Sequence, residues 1–159
     1  MRILSFALVV IVLTSCGGAK KGNAQNTSDE NAVDIYEGLD KETVLKMKQY
    51  MFKGRELYLQ RCSNCHQQDG SGLGKLIPPL AKSDYLLENL NASVCTIKYG
   101  RKGKIIVNGV EYDQPMPANT NLTNIQIAMI TTYIRNSWGN KAGFFGVKEV
   151  QSILSSCSE

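Results

Sequence analysis

The sequence predicts an all-α domain that carries one small β-hairpin, and three observations lead there. Apolar residues return at helical spacing along residues 41–60 and again after Thr123. Start and stop signals for helices, Ser83, Gly100 and Thr123 among them, bracket the apolar stretches. Residues 104–112 set β-branched side chains around Asn108-Gly109, a signal for one tight type I′ hairpin. A length of 159 residues suits one domain with extensions, and no internal repeat is visible.

Taken in order, the chain opens on a targeting segment. Arg2 precedes an apolar run over residues 3–13, and Leu13-Thr14-Ser15-Cys16 follows. The run is too short for a stable membrane span but suits a secretory signal. Its end resembles the lipobox of bacterial lipoproteins, in which the Cys is diacylated and begins the mature protein. Residues 1–15 are therefore read as signal peptide and Cys16 as the lipidation site. Residues 16–40 are poor in large apolar side chains and read as a flexible tether, leaving residues 41–159 as the domain. A coil of roughly 23 residues spans roughly 25 Å.

Residues 41–60 form the first helix, with Val44, Met47, Met51, Leu57 and Tyr58 on its stripe. Gly54 interrupts that stripe at a propensity cost of about 1 kcal/mol relative to Ala, which marks a close approach to another element. After a loop punctuated by Gly70, Gly72 and Gly74 comes the stiff Ile77-Pro78-Pro79-Leu80 segment. Ser83 caps a helix from Asp84, and a further helical stretch through Val94, Cys95 and Ile97 ends at Gly100. The hairpin follows, then Gln114-Pro115-Met116-Pro117, a rigid loop presenting a thioether off any amphipathic stripe. Thr123 and Gln126 make a capping box for the closing helix, with Leu122 and Ile127 as its staple. Ile127, Ile130, Thr131 and Ile134 form its buried face, and Gly139 is its expected stop. Residues 147–154 make a short amphipathic tail helix.

Chemistry concentrates in Cys62-Ser63-Asn64-Cys65-His66, the C-x-x-C-H spacing of covalent haem attachment. Two thiols three residues apart on a helical turn meet the two vinyl groups at one porphyrin edge, and the next residue directs its imidazole at the iron. A thioredoxin-like dithiol shares the C-x-x-C spacing. A structural zinc site needs four ligands, and the chain has one His and no second C-x-x-C. An axial His needs an acceptor for its far ring N–H, and a proline segment offers rigid carbonyls.

Of five cysteines, Cys16 takes lipid and Cys62 and Cys65 take haem, leaving Cys95 and Cys157, which read as one disulfide in an oxidising compartment, the alternative being two buried free thiols. Charge divides unevenly. From residue 45 onward 14 Lys/Arg face 8 Asp/Glu, giving +6, whereas residues 17–44 hold 3 against 6, giving −3. A basic domain on an acidic tether suits docking to acidic protein partners, and nucleic acid is excluded by export.

The motif, the Pro-Leu segment, Met116 and the late amphipathic helix, in that order over residues 44–138, resemble a class I monohaem cytochrome c. The hairpin ahead of the Met resembles cytochrome domains that serve bacterial oxidases and nitrite reductases. The resemblance implies one covalent haem c among three to five helices, with the first and last helices crossing at a small residue. It also implies His66 as proximal ligand, the Pro78 carbonyl as acceptor from His66, and Met116 as distal ligand. A count agrees, because no second His exists and Met47, Met51 and Met129 lie in expected helices. The sequence departs from the family at Gln67, where many members have Gly.

The expected function is one-electron carriage between membrane-associated respiratory complexes, without enzymatic activity, by an exported protein lipid-anchored to the bacterial membrane and facing the periplasm or cell exterior. A gas-binding sensor or a haem peroxidase with a labile distal ligand is the alternative, and neither needs Met116.

Overall fold

The computed structural model describes residues 35–157. The signal segment, Cys16 and the tether up to residue 34 lie outside the described residues. The domain is helical, with one two-stranded antiparallel hairpin. Its elements in chain order are α1 (Lys41–Arg61), α2 (Ser63–His66), α3 (Asp84–Glu88), α4 (Leu90–Tyr99), β1 (Ile105–Val107), β2 (Val110–Tyr112), α5 (Asn124–Ile134) and α6 (Val147–Leu154). Six helical segments thus stand among the described residues, against an expectation of three to five. Two are single turns, and α3 is parted from α4 only by Asn89, whose backbone (φ −111°, ψ 61°) is not helical. None of the described helices is long and apolar enough to cross a membrane.

Local chemistry sets the boundaries. Asp40 caps α1 by accepting from the Glu42 and Thr43 N–H groups at 3.0 Å each. The Thr43 hydroxyl donates to the same carboxyl, and these bonds hold it below the usual carboxylate range. Ser83 Oγ takes the Leu86 N–H at the start of α3, and Thr123 with Gln126 forms the capping box of α5. Gly100, at φ 77°, ends α4. Asn108 and Gly109 both sit at positive φ between Val107 and Val110, as a type I′ hairpin requires.

The core lies where α1 crosses α5. At Gly54 the two backbones touch, because an added Cβ would lie 2.1 Å from the Met129 carbonyl oxygen and 2.8 Å from Tyr133 Cβ. Tyr58, Tyr133 and Trp138 pack beside this point with ring centroids 5.1–5.5 Å apart. The α5 helix ends at Ile134, short of the expected stop at Gly139. Side chains account for the early end: the Asn136 amide donates to the Thr132 carbonyl and the Ser137 hydroxyl to the Tyr133 carbonyl, so both acceptors are occupied.

Cys95 and Cys157 are joined in a disulfide, with Cα atoms 5.9 Å apart, and this bond ties the segment after α6 to α4. Residues before α1 also touch the domain: Glu37 pairs with Lys141 at 3.1 Å, and Lys48 stands over the Tyr36 ring.

Two outcomes follow from this packing. Ala gains about 1 kcal/mol over Gly in a helix interior, yet overpacking costs about 1–3 kcal/mol, and with no space at residue 54 the second effect wins. Gly54→Ala should therefore lower the midpoint of thermal unfolding, while an unchanged or raised midpoint would show that the helices separate freely. Replacing Cys95 and Cys157 together with Ser opens a loop of sequence separation 62. Chemical denaturation should then show a loss of about 4 kcal/mol on the loop-entropy account.

Candidate functional site

The last turn of α1 delivers the thiols. Cys62 caps that helix, its N–H donating to the Tyr58 carbonyl at 2.8 Å. The single turn α2 then brings the Cys65 and His66 N–H groups back onto the Cys62 carbonyl at 3.1 and 3.0 Å. Neither Cys62 nor Cys65 is in a disulfide. Burial pushes the Cys62 thiol up to about 11, with the nearby Arg61 charge opposing and Cys65 adding to the rise. A thioredoxin-like nucleophile needs the opposite shift, so this thiol is not built for disulfide exchange.

His66 is buried, and its Nδ1–H donates to the Pro78 carbonyl at 3.2 Å, since a carbonyl can only accept. Burial also lowers the imidazole pKa, and the Pro78 bond partly opposes this. The neutral ring then carries its proton on Nδ1 and leaves the Nε2 lone pair for a metal. Gln67 follows in a conformation (φ 62°, ψ 161°) that is essentially reserved for Gly. The buried Tyr58 hydroxyl donates to the Gln67 carbonyl and holds it there.

In the loop after His66, an added Cβ would meet the Trp138 ring at Gly70 and the Ile77-Pro78 backbone at Gly72. These two glycines let the loop fold on itself and on the turn after α5.

Met116 is held from α4. Its N–H and carbonyl exchange hydrogen bonds with Arg101 at 3.0 and 2.9 Å, an isolated antiparallel bridge. Gly100 makes this possible, since a Cβ there would meet the Met116 carbonyl at 2.5 Å. Lys98 Nζ donates to the Thr120 and Leu122 carbonyls, fastening the chain beyond the Met loop to the same helix.

All five sequence-derived residues, Cys62, Cys65, His66, Pro78 and Met116, line one cleft of about 1250 Å³, its open mouth included. Its walls are mainly apolar, with Ile77, Leu86, Ile97 and Ile130 among them. Cys95 and Cys157 are elsewhere. Among the described residues, no three Cys, His, Asp or Glu side chains converge to hold a bare metal ion.

The donor set fits a haem: two unpaired thiols at the motif spacing, an oriented imidazole, a thioether and apolar walls. Arg101 adds a further match that no motif announces. Its guanidinium donates to the Tyr85 hydroxyl at 3.1 Å and the Lys104 carbonyl at 3.3 Å. Its buried Nε has no hydrogen-bond partner among the described residues. A carboxylate is the natural acceptor for such a donor, and haem carries two.

Comparison with known proteins agrees with this geometry. A family model described as cytochrome c matches residues 52–138. Cytochrome c-552 of Thermus thermophilus is 32% identical over 101 residues, covering 60% of this chain and 75% of the relative. The cytochrome c subunit of alcohol dehydrogenase (quinone) from Gluconacetobacter polyoxogenes is 36% identical over 92 residues, 56% of this chain but 19% of that subunit. Its counterpart from Gluconobacter oxydans is 29% identical over 104 residues and is covered to 21%. The matched segment runs from α1 through the haem motif and Met116 to Trp138, and the chain belongs to the cytochrome c family, whose members bind covalent c-type haem and transfer electrons.

Proposed function

We propose that this chain is a one-electron carrier that holds its haem between His66 and Met116 and is tethered to a bacterial membrane by lipid on Cys16. The observation that supports this reading best is that His66 and Met116 line the same cleft, each on a stiffened loop or turn. Haem c, when bound, supplies an iron that cycles between ferric and ferrous by one electron. Cys62 and Cys65 would hold the group covalently through thioethers, each S–H adding across one vinyl group. His66 gives the proximal nitrogen, oriented by the Pro78 carbonyl. Met116 gives a neutral thioether, which favours the ferrous state and raises the potential. The apolar walls keep water away, and the bridge to Arg101 keeps the Met116 backbone in place in either state. A gas-binding sensor or a peroxidase needs an open or labile distal position, which a clamped Pro-Met-Pro loop does not favour.

For partners, the reading names membrane-associated redox complexes, a donor and a terminal reductase or oxidase. The relatives named as cytochrome c subunits of a quinone-dependent alcohol dehydrogenase support partnership of this kind. The excess of Lys and Arg over Asp and Glu after residue 44 supports docking to acidic surfaces. On the loop leading to Pro78, Leu73 and Leu76 are exposed on either side of Lys75, a mixed apolar and basic contact. Export and attachment to the outer face of the membrane rest on the amino-terminal sequence.

Two measurements check the reading. Met116→Ala should abolish the sulfur-to-iron charge-transfer band of the oxidised protein and open the reduced protein to carbon monoxide. It should also lower the midpoint potential by on the order of a hundred millivolts, within the ≈ 0.8 V span that axial ligands control. Retention of the band and potential would assign the distal position elsewhere. Mass spectrometry of the mature protein should find a lipid-modified Cys16 at the amino terminus, and Cys16→Ser should move the protein from the membrane to the soluble fraction. An unmodified mature terminus at another residue contradicts the anchor.

A further inference from the structure

Three residues beyond α5 hold the loop on the proximal side of the cleft. Trp138 and Gly139 sit at φ 56° and 89°, and two successive left-handed residues turn the chain back so that Asn140 points into the protein. Asn140 is 2% exposed. Its Oδ1 accepts the Lys82 N–H at 2.8 Å, and its Nδ2 donates to the Leu80 carbonyl at 2.9 Å and the Ile134 carbonyl at 2.8 Å. The amide therefore joins the end of α5 to residues 58 and 60 positions earlier in the chain. Lys82 is itself left-handed at φ 52°, a conformation unfavourable for a non-glycine residue, so its backbone needs external support. The same turn grips the loop a second time. The Trp138 ring covers Gly70, whose carbonyl accepts the Leu80 and Ala81 N–H groups at 2.8 and 3.0 Å.

Pro78 lies two residues before Leu80, and its carbonyl receives the His66 ring proton. The rings of Pro78 and Pro79 fix both φ angles, so a displacement of residues 80–82 passes to the Pro78 carbonyl instead of being absorbed. We propose that Asn140 is a positioning residue for the proximal imidazole: by holding Leu80 and Lys82 it sets how firmly the Pro78 carbonyl engages His66 Nδ1–H. This rests on the reading of His66 as the axial ligand. A firm carbonyl bond raises the donor strength of the imidazole and favours ferric iron, so loosening it raises the potential.

A neighbouring residue separates positioning from general support. Asn136 is also buried and also makes several bonds, but they run to the Thr132 and Gly143 carbonyls and the Ala142 and Gly143 N–H groups. It braces the same turn, and none of these bonds goes to residues 78–82. Holoprotein carrying Asn140→Ala or Asn136→Ala is compared with the unmodified holoprotein by thermal unfolding, midpoint potential and the exchange rate of the His66 ring proton in NMR of the reduced form. Both variants should be less stable. Only Asn140→Ala should raise the potential, corresponding to a severalfold shift of the ferric–ferrous balance, and speed exchange of that proton. An unchanged potential in Asn140→Ala, or an equal rise in Asn136→Ala, overturns the assignment. If Asn140→Ala does not load haem, the milder Asn140→Ser is judged by the same two criteria. Absence of a His66 ring-proton signal from the unmodified holoprotein would refute the axial reading itself, and with it the role given to Asn140.

Discussion

The contact between α1 and α5 at Gly54 is the constraint on which the rest of the domain depends. A Cβ at 2.1 Å from the Met129 carbonyl oxygen leaves no room for even a methyl group, so the two helices meet backbone to backbone. That crossing fixes where α1 ends, and α1 ends on Cys62. It equally fixes where α5 ends, and the turn beyond it carries Trp138 and Asn140 onto the loop that holds Pro78. The thiols and the acceptor for the proximal imidazole therefore descend from one helix pair. Tyr58 and Tyr133, packed beside the crossing with their rings tilted, join the two descents, since the Tyr58 hydroxyl reaches the Gln67 carbonyl directly behind His66.

The cleft that results suits electron transfer more than substrate chemistry. Its walls are mainly apolar, and burial lowers the pKa of its imidazole. Both candidate axial side chains are held by braced backbone. On one side two prolines and the Asn140 amide brace the loop whose Pro78 carbonyl meets His66; on the other the Arg101 bridge and flanking prolines brace Met116. Ligands held on braced backbone keep reorganisation small, which a carrier needs and a ligand-binding haem does not.

Much of this was legible in the sequence because it is local. The C-x-x-C-H spacing, the Thr123–Gln126 capping box, the Asn108-Gly109 turn and the helix at Val147–Leu154 each need only a few adjacent residues. Gly54 also announced itself as a gap in an apolar stripe. What stayed hidden depends on partners far along the chain. Asn140 looks like an ordinary turn residue until the chain folds and brings Leu80 and Lys82 to it. Arg101 carries no motif, and its buried, unpartnered Nε exists only once α4, the hairpin and the Met loop surround it. The end of α5 was misplaced for a related reason: Asn136 and Ser137 take helix carbonyls with their side chains, a competition that apolar periodicity does not register. Gly70 and Gly72 were visible, but their neighbours, Trp138 and the Ile77-Pro78 backbone, were not.

The central claim is that both axial positions of the haem are filled from within this chain, which makes the protein a carrier. Mixing the reduced, unmodified holoprotein with carbon monoxide at neutral pH tests this most directly. The account predicts that the visible spectrum stays that of the six-coordinate ferrous haem, with no carbonyl adduct forming on the timescale of mixing. Rapid and complete formation of the adduct would contradict it and would place the protein among ligand-binding haem proteins.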